Sequence, residues 1–272
     1  IENEMGATQL HQTISPLFLR REISEVAQDL PEKVIIAQAI NMSEEETQGY
    51  ILYRDHLKQK YGRSGIFAAF TKLRQYCTHP LLIEDDAPDV SLGMLQSSKY
   101  KRTIEILEEV TENGEKAIVF TAFNKMAQLF SDDIYTRFRI PCGIINGTVP
   151  VKDRQIIVDE FTAINGPAVL IVNPEAGGTG LNITAANHVI HYTLGWNPAV
   201  EDQATARVHR LGQEKPCRVH RLYYPNTVEE VVNEKIEWKR ELAAHSVVPT
   251  ADFENDFKME DLFRALDMEP SN

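Results

Sequence analysis

Apolar positions in the stretch 43–79 recur at helical steps. Tyr50, Leu57 and Tyr61, then Phe67, Phe70, Leu73 and Tyr76, follow one another at intervals of three, four or seven, so each set lies along one helix face. Ser43 with Glu46 three positions on is a capping-box signature that predicts where the first helix opens, and Gly62 and Gly65 separate it from a second. Upstream, Pro31 divides a mixed segment containing Pro16-Leu17-Phe18-Leu19-Arg20-Arg21 from the extended-looking Lys33-Val34-Ile35-Ile36-Ala37. From Ser97 onward the texture changes. Short β-rich runs at 117–121, 142–145, 168–172, 188–193 and 218–223 alternate with helical patterns at 99–110, 125–138, 152–161, 198–211 and 227–244. That alternation predicts an α/β fold, a parallel sheet with helices on both faces, joined to a small helical subdomain on its N-terminal side. The last 22 residues carry seven acids and two bases, which predicts a loosely attached acidic tail with one short amphipathic element at 259–266. The expected division is 1–96, 97–250 and 251–272.

Composition narrows the class. The chain has 272 residues, 43% apolar and 25% charged, the mix of a soluble globular protein with a sizeable core. No apolar run is long enough to cross a bilayer. Twenty-eight bases against 40 acids give a net charge of −12, which repels phosphate overall, so any nucleic-acid contact must be local. Cys77, Cys142 and Cys217 lie 65 and 75 positions apart, without the close pairs of a zinc site; they read as reduced thiols, and no metal site is expected. The N-terminus lacks both a signal peptide and an initiator Met, as expected of a piece excised from an intracellular protein.

Two constellations could carry chemistry. Gly177-Gly178-Thr179-Gly180-Leu181-Asn182 follows the apolar run 168–172, and a glycine-rich turn after a strand lets backbone N–H groups approach phosphate. A tight turn with no ligand is equally compatible. Neither a dinucleotide fingerprint nor a phosphate-binding loop ending in Gly-Lys-Ser/Thr is present. In the second, Asp202 to Gln213, a continuous helix would put Val200, Ala204, Val208 and Leu211 on one stripe and Gln203, Arg207 and Arg210 on another roughly 90° away. Arginine suits a cleft edge because its planar fork stays charged and binds phosphate oxygens bidentately; surface arginines meeting the helix C-terminus or nearby acids are the plain alternative. His188 and His191 are taken to share a strand face and, with no third ligand, read as core or rim histidines. Asn197 and Pro198 read as N-cap and first turn of a helix. Lys215, Arg218 and Arg221, with no acid between them, read as the clearest local basic patch, open to an anion or a phosphate backbone. No Gly-x-Ser-x-Gly elbow supports a hydrolase triad.

Taken in order, Ala117-Ile118-Val119-Phe120-Thr121, Asn146-Gly147 with Arg154, the segment 177–184, Trp196-Asn197-Pro198 and the stretch 203–213 resemble the second RecA-like lobe of Swi/Snf-type ATPases of helicase superfamily two. Phe18-Leu19-Arg20-Arg21, Asp29-Leu30-Pro31, Leu73-Arg74-Gln75-Tyr76-Cys77-Thr78-His79-Pro80, Thr227-Val228-Glu229-Glu230 and Lys239 extend the resemblance over roughly 16–245. The resemblance implies that Arg207 and Arg210 are arginine fingers that complete an ATP site on a first lobe not in this chain, and that this first lobe mainly binds ATP and Mg2+. It implies that Gly178, Gly180 and Gln203 line the nucleotide cleft, and that Thr121, Asn146, Arg154, Asn182 and Thr184 face or support a DNA backbone. Three positions depart from the pattern: Glu175 stands where the family usually carries a base, Ala206 where it usually has an acid, and Ala122 in place of a common Gln. These put in doubt one phosphate contact and the orientation of the fingers.

The implied function is a DNA-dependent ATPase that translocates on duplex DNA and remodels protein–DNA complexes, with the first lobe, duplex DNA and a protein substrate or recruiter as partners and no membrane. The lobe alone is expected to be inactive. Two alternatives stand beside it: a degenerate lobe serving as a protein- or nucleic-acid-binding module, and part of an RNA-directed helicase. Trp196-Asn197-Pro198-Ala199-Val200-Glu201 resembles prokaryotic members, which implies a cytoplasmic protein.

Overall fold

The computed structural model describes residues 30–86, 97–176, 180–195, 197–245 and 259–268. Phe18 to Arg21, residues 87–96, Gly177, Gly178, Thr179 and Trp196 lie outside them. Six strands, β1 (Lys33–Ala39), β2 (Lys116–Phe120), β3 (Cys142–Ile145), β4 (Ala168–Val172), β5 (His188–His191) and β6 (Cys217–Tyr223), form one sheet in the order β1-β6-β5-β2-β4-β3. Every pairing is parallel. Around them lie α1 (Glu44–Tyr61), α2 (Ile66–Thr78), α3 (Ser98–Glu112), α4 (Asn124–Phe138), α5 (Val151–Ala163), α6 (Pro198–Thr205), α7 (Val228–His245) and α8 (Met259–Ala265).

Strand alternation divides the core. Ala117 and Val119 of β2 join Val169, Ile171 and Ile190 under Ile106 and Leu107 of α3 and Met126, Phe130 and Ile134 of α4. Ile118 and Phe120 point the other way, with Leu170, Val172 and Val189, onto Val158 and Phe161 of α5 and Ala204 of α6. Burial on both faces explains why these strands read as continuous apolar runs. A third core is helical: Tyr53 and Leu57, Phe70 and Leu73, Val232 and Ile236, and Leu262 and Leu266 pack together. Ser43 caps α1 as expected, accepting from the Glu46 N–H while the Glu46 carboxylate accepts from the Ser43 N–H, an arrangement that contributes about 1 kcal/mol.

Some expectations change. β1 belongs to the sheet, aligned with β6 from Lys33↔Cys217 to Ala39↔Tyr223, so packing crosses the division expected at residue 96. Over 259–268 the loose attachment expected of the tail does not hold, because Leu262 and Leu266 are buried and Lys58 donates to the Asp267 carbonyl at 2.9 Å. Helix 198–211 is shorter than its periodicity suggested. α6 stops at Thr205 and a run of turns follows, in which the Arg207 carbonyl accepts from the Ile183 N–H at 2.9 Å rather than from a later helical turn. Leu211, placed on the apolar stripe, is 72% exposed as a result. His188 and His191 are three positions apart and so lie on opposite strand faces, correcting the shared face: His188 meets Glu115 at 2.7 Å, His191 the Thr205 hydroxyl at 2.9 Å.

Candidate functional site

Connections leave β2 toward β4 and β3 on one side and β5 and β6 on the other, so the carboxyl ends of β2, β4 and β5 frame the crevice where open α/β sheets bind ligands. Thr121 directly follows β2. Its N–H donates to the Val172 carbonyl at 3.1 Å and its hydroxyl lies 3.2 Å from that of Thr193, so it is buried and ties strand ends together. After β3, the Asn146 side-chain oxygen accepts from the Thr148 N–H at 3.0 Å and hydroxyl at 2.6 Å, closing an Asx turn. Arg154, on α5, is buried. It donates to the Val149 carbonyl at 3.0 Å and closely to that of Ala176, joining the loop after β3 to the stretch that enters the glycine run. Asn182 is exposed and Thr184 half-buried. Gly180 sits at φ +67, a left-handed backbone that favours glycine.

The two arginines differ. Arg210 is exposed. Arg207 is only 5% exposed, and its Nη1 is buried with no hydrogen-bond partner; burial pulls its guanidinium below the ordinary arginine value. Arg74, Arg154 and Arg221, also buried, each donate to a carbonyl or carboxylate. Arg207 has no such acceptor among the described residues. A charge out of water without a counter-group costs several kcal/mol, and no described group offsets that cost at Nη1.

Other contacts fix the turns that carry these arginines. Gln213, buried, donates from Nε2 to the carbonyls of Thr184 (3.2 Å), Ala186 (2.7 Å) and Val208 (3.2 Å). Its Oε1 accepts from the N–H groups of Glu214 and Lys215. One amide thus staples the 183–186 segment to the arginine loop. Glu201 anchors α6, accepting from the Gly195 N–H at 3.1 Å and pairing with Arg221 at 3.0 Å and Arg240 at 3.3 Å. Asn197 caps that helix as expected, with the Ala199 N–H at 3.0 Å. Gln203 and Glu175 are exposed.

The expected basic patch is not a free surface. Arg221 is buried in the cluster with Glu201 and Glu237, while Glu115 lies 3.3 Å from Lys215 and 3.5 Å from Arg218. That acid, 100 positions from Lys215, is invisible to a local count. Sequence reasoning also passed over Asn173, which donates to the Ala122 carbonyl at 3.2 Å and, from its N–H, to that of Ile145 at 2.8 Å, knitting three strand ends. Its signal was a lone amide at the carboxyl end of an apolar run. The three cysteines are free thiols, burial pushing Cys142 up to about 12 and Cys217 to about 11. Among the described residues no group of three His, Cys, Asp or Glu could hold a metal ion, and no helix is long and apolar enough to cross a membrane.

A six-stranded parallel sheet with helices on both faces and small polar residues at its strand ends is an α/β lobe of the RecA-like fold. Residues 2–82 match the SNF2-related domain and 98–212 the helicase conserved C-terminal domain. The chain belongs to the SNF2-type helicase family. It is 34% identical over 265 residues to an uncharacterized ATP-dependent helicase of Mycoplasma pneumoniae, covering 95% of this chain and 25% of that protein. Among solved structures it is similar to the Sulfolobus solfataricus SWI2/SNF2 ATPase core in complex with dsDNA, with TM-score 0.67 and 29% identity over 97% of this chain and 56% of that one. The C-terminal domain of the same ATPase matches with TM-score 0.64 and 26% identity, covering 88% of this chain and 100% of that one. The chain spans about a quarter of the length of the curated relatives it matches.

Proposed function

We propose that this chain is the second RecA-like lobe of a DNA-dependent ATPase that moves along duplex DNA and remodels protein–DNA complexes. The observation that carries this reading is Arg207, buried with an unpartnered Nη1 on a loop shared with Arg210. When a first lobe presents ATP, Arg207 and Arg210 donate to the oxygens of the transferring γ-phosphoryl group and neutralise the charge that develops there. Mg2+, when bound, would supply countercharge to the phosphates, and the first lobe would mainly hold it. Gly180 and Gln203 then line this lobe's side of the cleft.

DNA contact follows the same division of labour. Asn146, Asn182 and Thr184 remain accessible and meet the duplex backbone. Thr121 and Arg154 spend their polar atoms inside the lobe and support the loops that touch it. The dsDNA named with the similar Sulfolobus core supports a duplex partner, and the net charge of −12 makes DNA binding by this lobe alone weak.

The test is the steady-state ATPase of the intact protein without nucleic acid and with duplex DNA, single-stranded DNA or RNA, at one fixed salt concentration. Duplex DNA stimulates, the separate lobe hydrolyses essentially nothing, and Arg210→Ala lowers the rate on the order of 10³-fold or more. Stimulation by RNA alone turns the reading into an RNA-directed helicase; absence of ATPase throughout turns it into a binding module.

A further inference from the structure

His209 stands between the two arginines in the sequence. Its Nε2 lies 2.8 Å from the carbonyl oxygen of Pro31. A carbonyl only accepts, so the imidazole donates. Pro31 stands two residues before β1 and has no N–H of its own. The next carbonyl, of Glu32, accepts from the Cys217 N–H at 2.8 Å, and β1 then runs beside β6. The contact therefore binds the arginine loop to the place where the chain enters the lobe, 178 positions upstream.

We infer that His209 is a positioning residue that couples the arginine loop to the entering chain. This rests on the function proposed above. The loop has no regular hydrogen-bond ladder: past Thr205 it is held by isolated turns, the Ile183 N–H on the Arg207 carbonyl and the Gln213 staple. Those contacts attach it to the lobe's interior. The His209 bond attaches it to the segment that leads toward whatever precedes residue 30. A shift of that segment is thereby transmitted to the backbone between Arg207 and Arg210, so the two arginines register with the phosphate only when the entering chain is in place.

The experiment compares His209→Ala and His209→Gln in the intact protein by duplex-stimulated ATPase, reading kcat and KM for ATP separately, with Arg210→Ala alongside. One neutral hydrogen bond is worth about a factor of ten. His209→Ala therefore lowers kcat about tenfold and leaves KM within about twofold, because it misplaces the arginines without touching the nucleotide pocket of the first lobe. His209→Gln, whose amide can donate to the same carbonyl, recovers most of the rate. A kcat within twofold of wild type in His209→Ala overturns the inference, as does a loss that Gln fails to restore. Near-normal turnover in Arg210→Ala instead overturns the underlying assignment of the fingers, so the two failures are told apart.

Discussion

Lys99 and Arg207 are buried cations on opposite sides of the same sheet, and their surroundings differ in kind. Lys99 is fully buried, its Nζ 2.5 Å from a Glu229 carboxylate that is itself buried and near the ring faces of Tyr192 and Tyr224 at 4.8 and 5.3 Å. Tyr224 in turn donates to Glu46 at 2.7 Å, which also accepts from the Ser98 N–H. This network joins α1, α3 and α7, and its charge is answered within the chain. Arg207 is also buried yet meets no acceptor among the described residues. The contrast separates a charge answered within the fold from one that, on the function proposed above, is kept for a phosphate.

Breaking Lys99 has the larger effect on stability. Lys99→Met strands the Glu229 carboxylate without its counterion, a loss of about 3–5 kcal/mol, to be read from the denaturant midpoint of this chain; a loss below about 1 kcal/mol would show that the network is ornamental.

Acid probes the same contrast from the other direction. Burial holds His79, His191 and His220 down to about 4, against an ordinary 6.5 in the unfolded chain. The unfolded state then binds more protons between these values, so stability is full above pH 6.5 and is lost as pH falls toward 4. Protonated His191, packed on Phe120, becomes a buried cation whose cost the nearby Glu201 offsets only in part. Its share of the loss is about 3 kcal/mol, and His191→Asn flattens the pH profile of the unfolding midpoint. An unchanged slope in that variant assigns the acid sensitivity elsewhere.

Arg207→Met gives the smallest expected change in stability, within about 1 kcal/mol of wild type or slightly stabilising, because an unpaired buried charge is exchanged for an apolar side chain. A destabilisation as large as that of Lys99→Met would mean that Arg207 has a structural partner after all.

The strands and most helices were legible because their signals are local. The capping box at Ser43, the apolar runs of β2 and β4 and the Asn197-Pro198 start all depend on neighbours a few positions apart. The misplaced features depend on distant ones. α6 ends early in a contact between Arg207 and Ile183, 24 positions apart in sequence. The basic run 215–221 is neutralised by Glu115, Glu201 and Glu237, and β1 joins the sheet by pairing across 184 positions. At the candidate site the sequence marked the arginines and the glycine run, while periodicity placed Arg207 and Arg210 on one helical stripe. It could not tell that one is enclosed and the other exposed, nor that Arg154 is committed to two carbonyls.

On the proposed function Arg207 waits for a phosphate supplied by another lobe. Its most direct test is the duplex-stimulated kcat of the intact protein carrying Arg207→Ala. We expect a fall on the order of 10³-fold or more; a rate within tenfold of wild type would overturn the role proposed for Arg207.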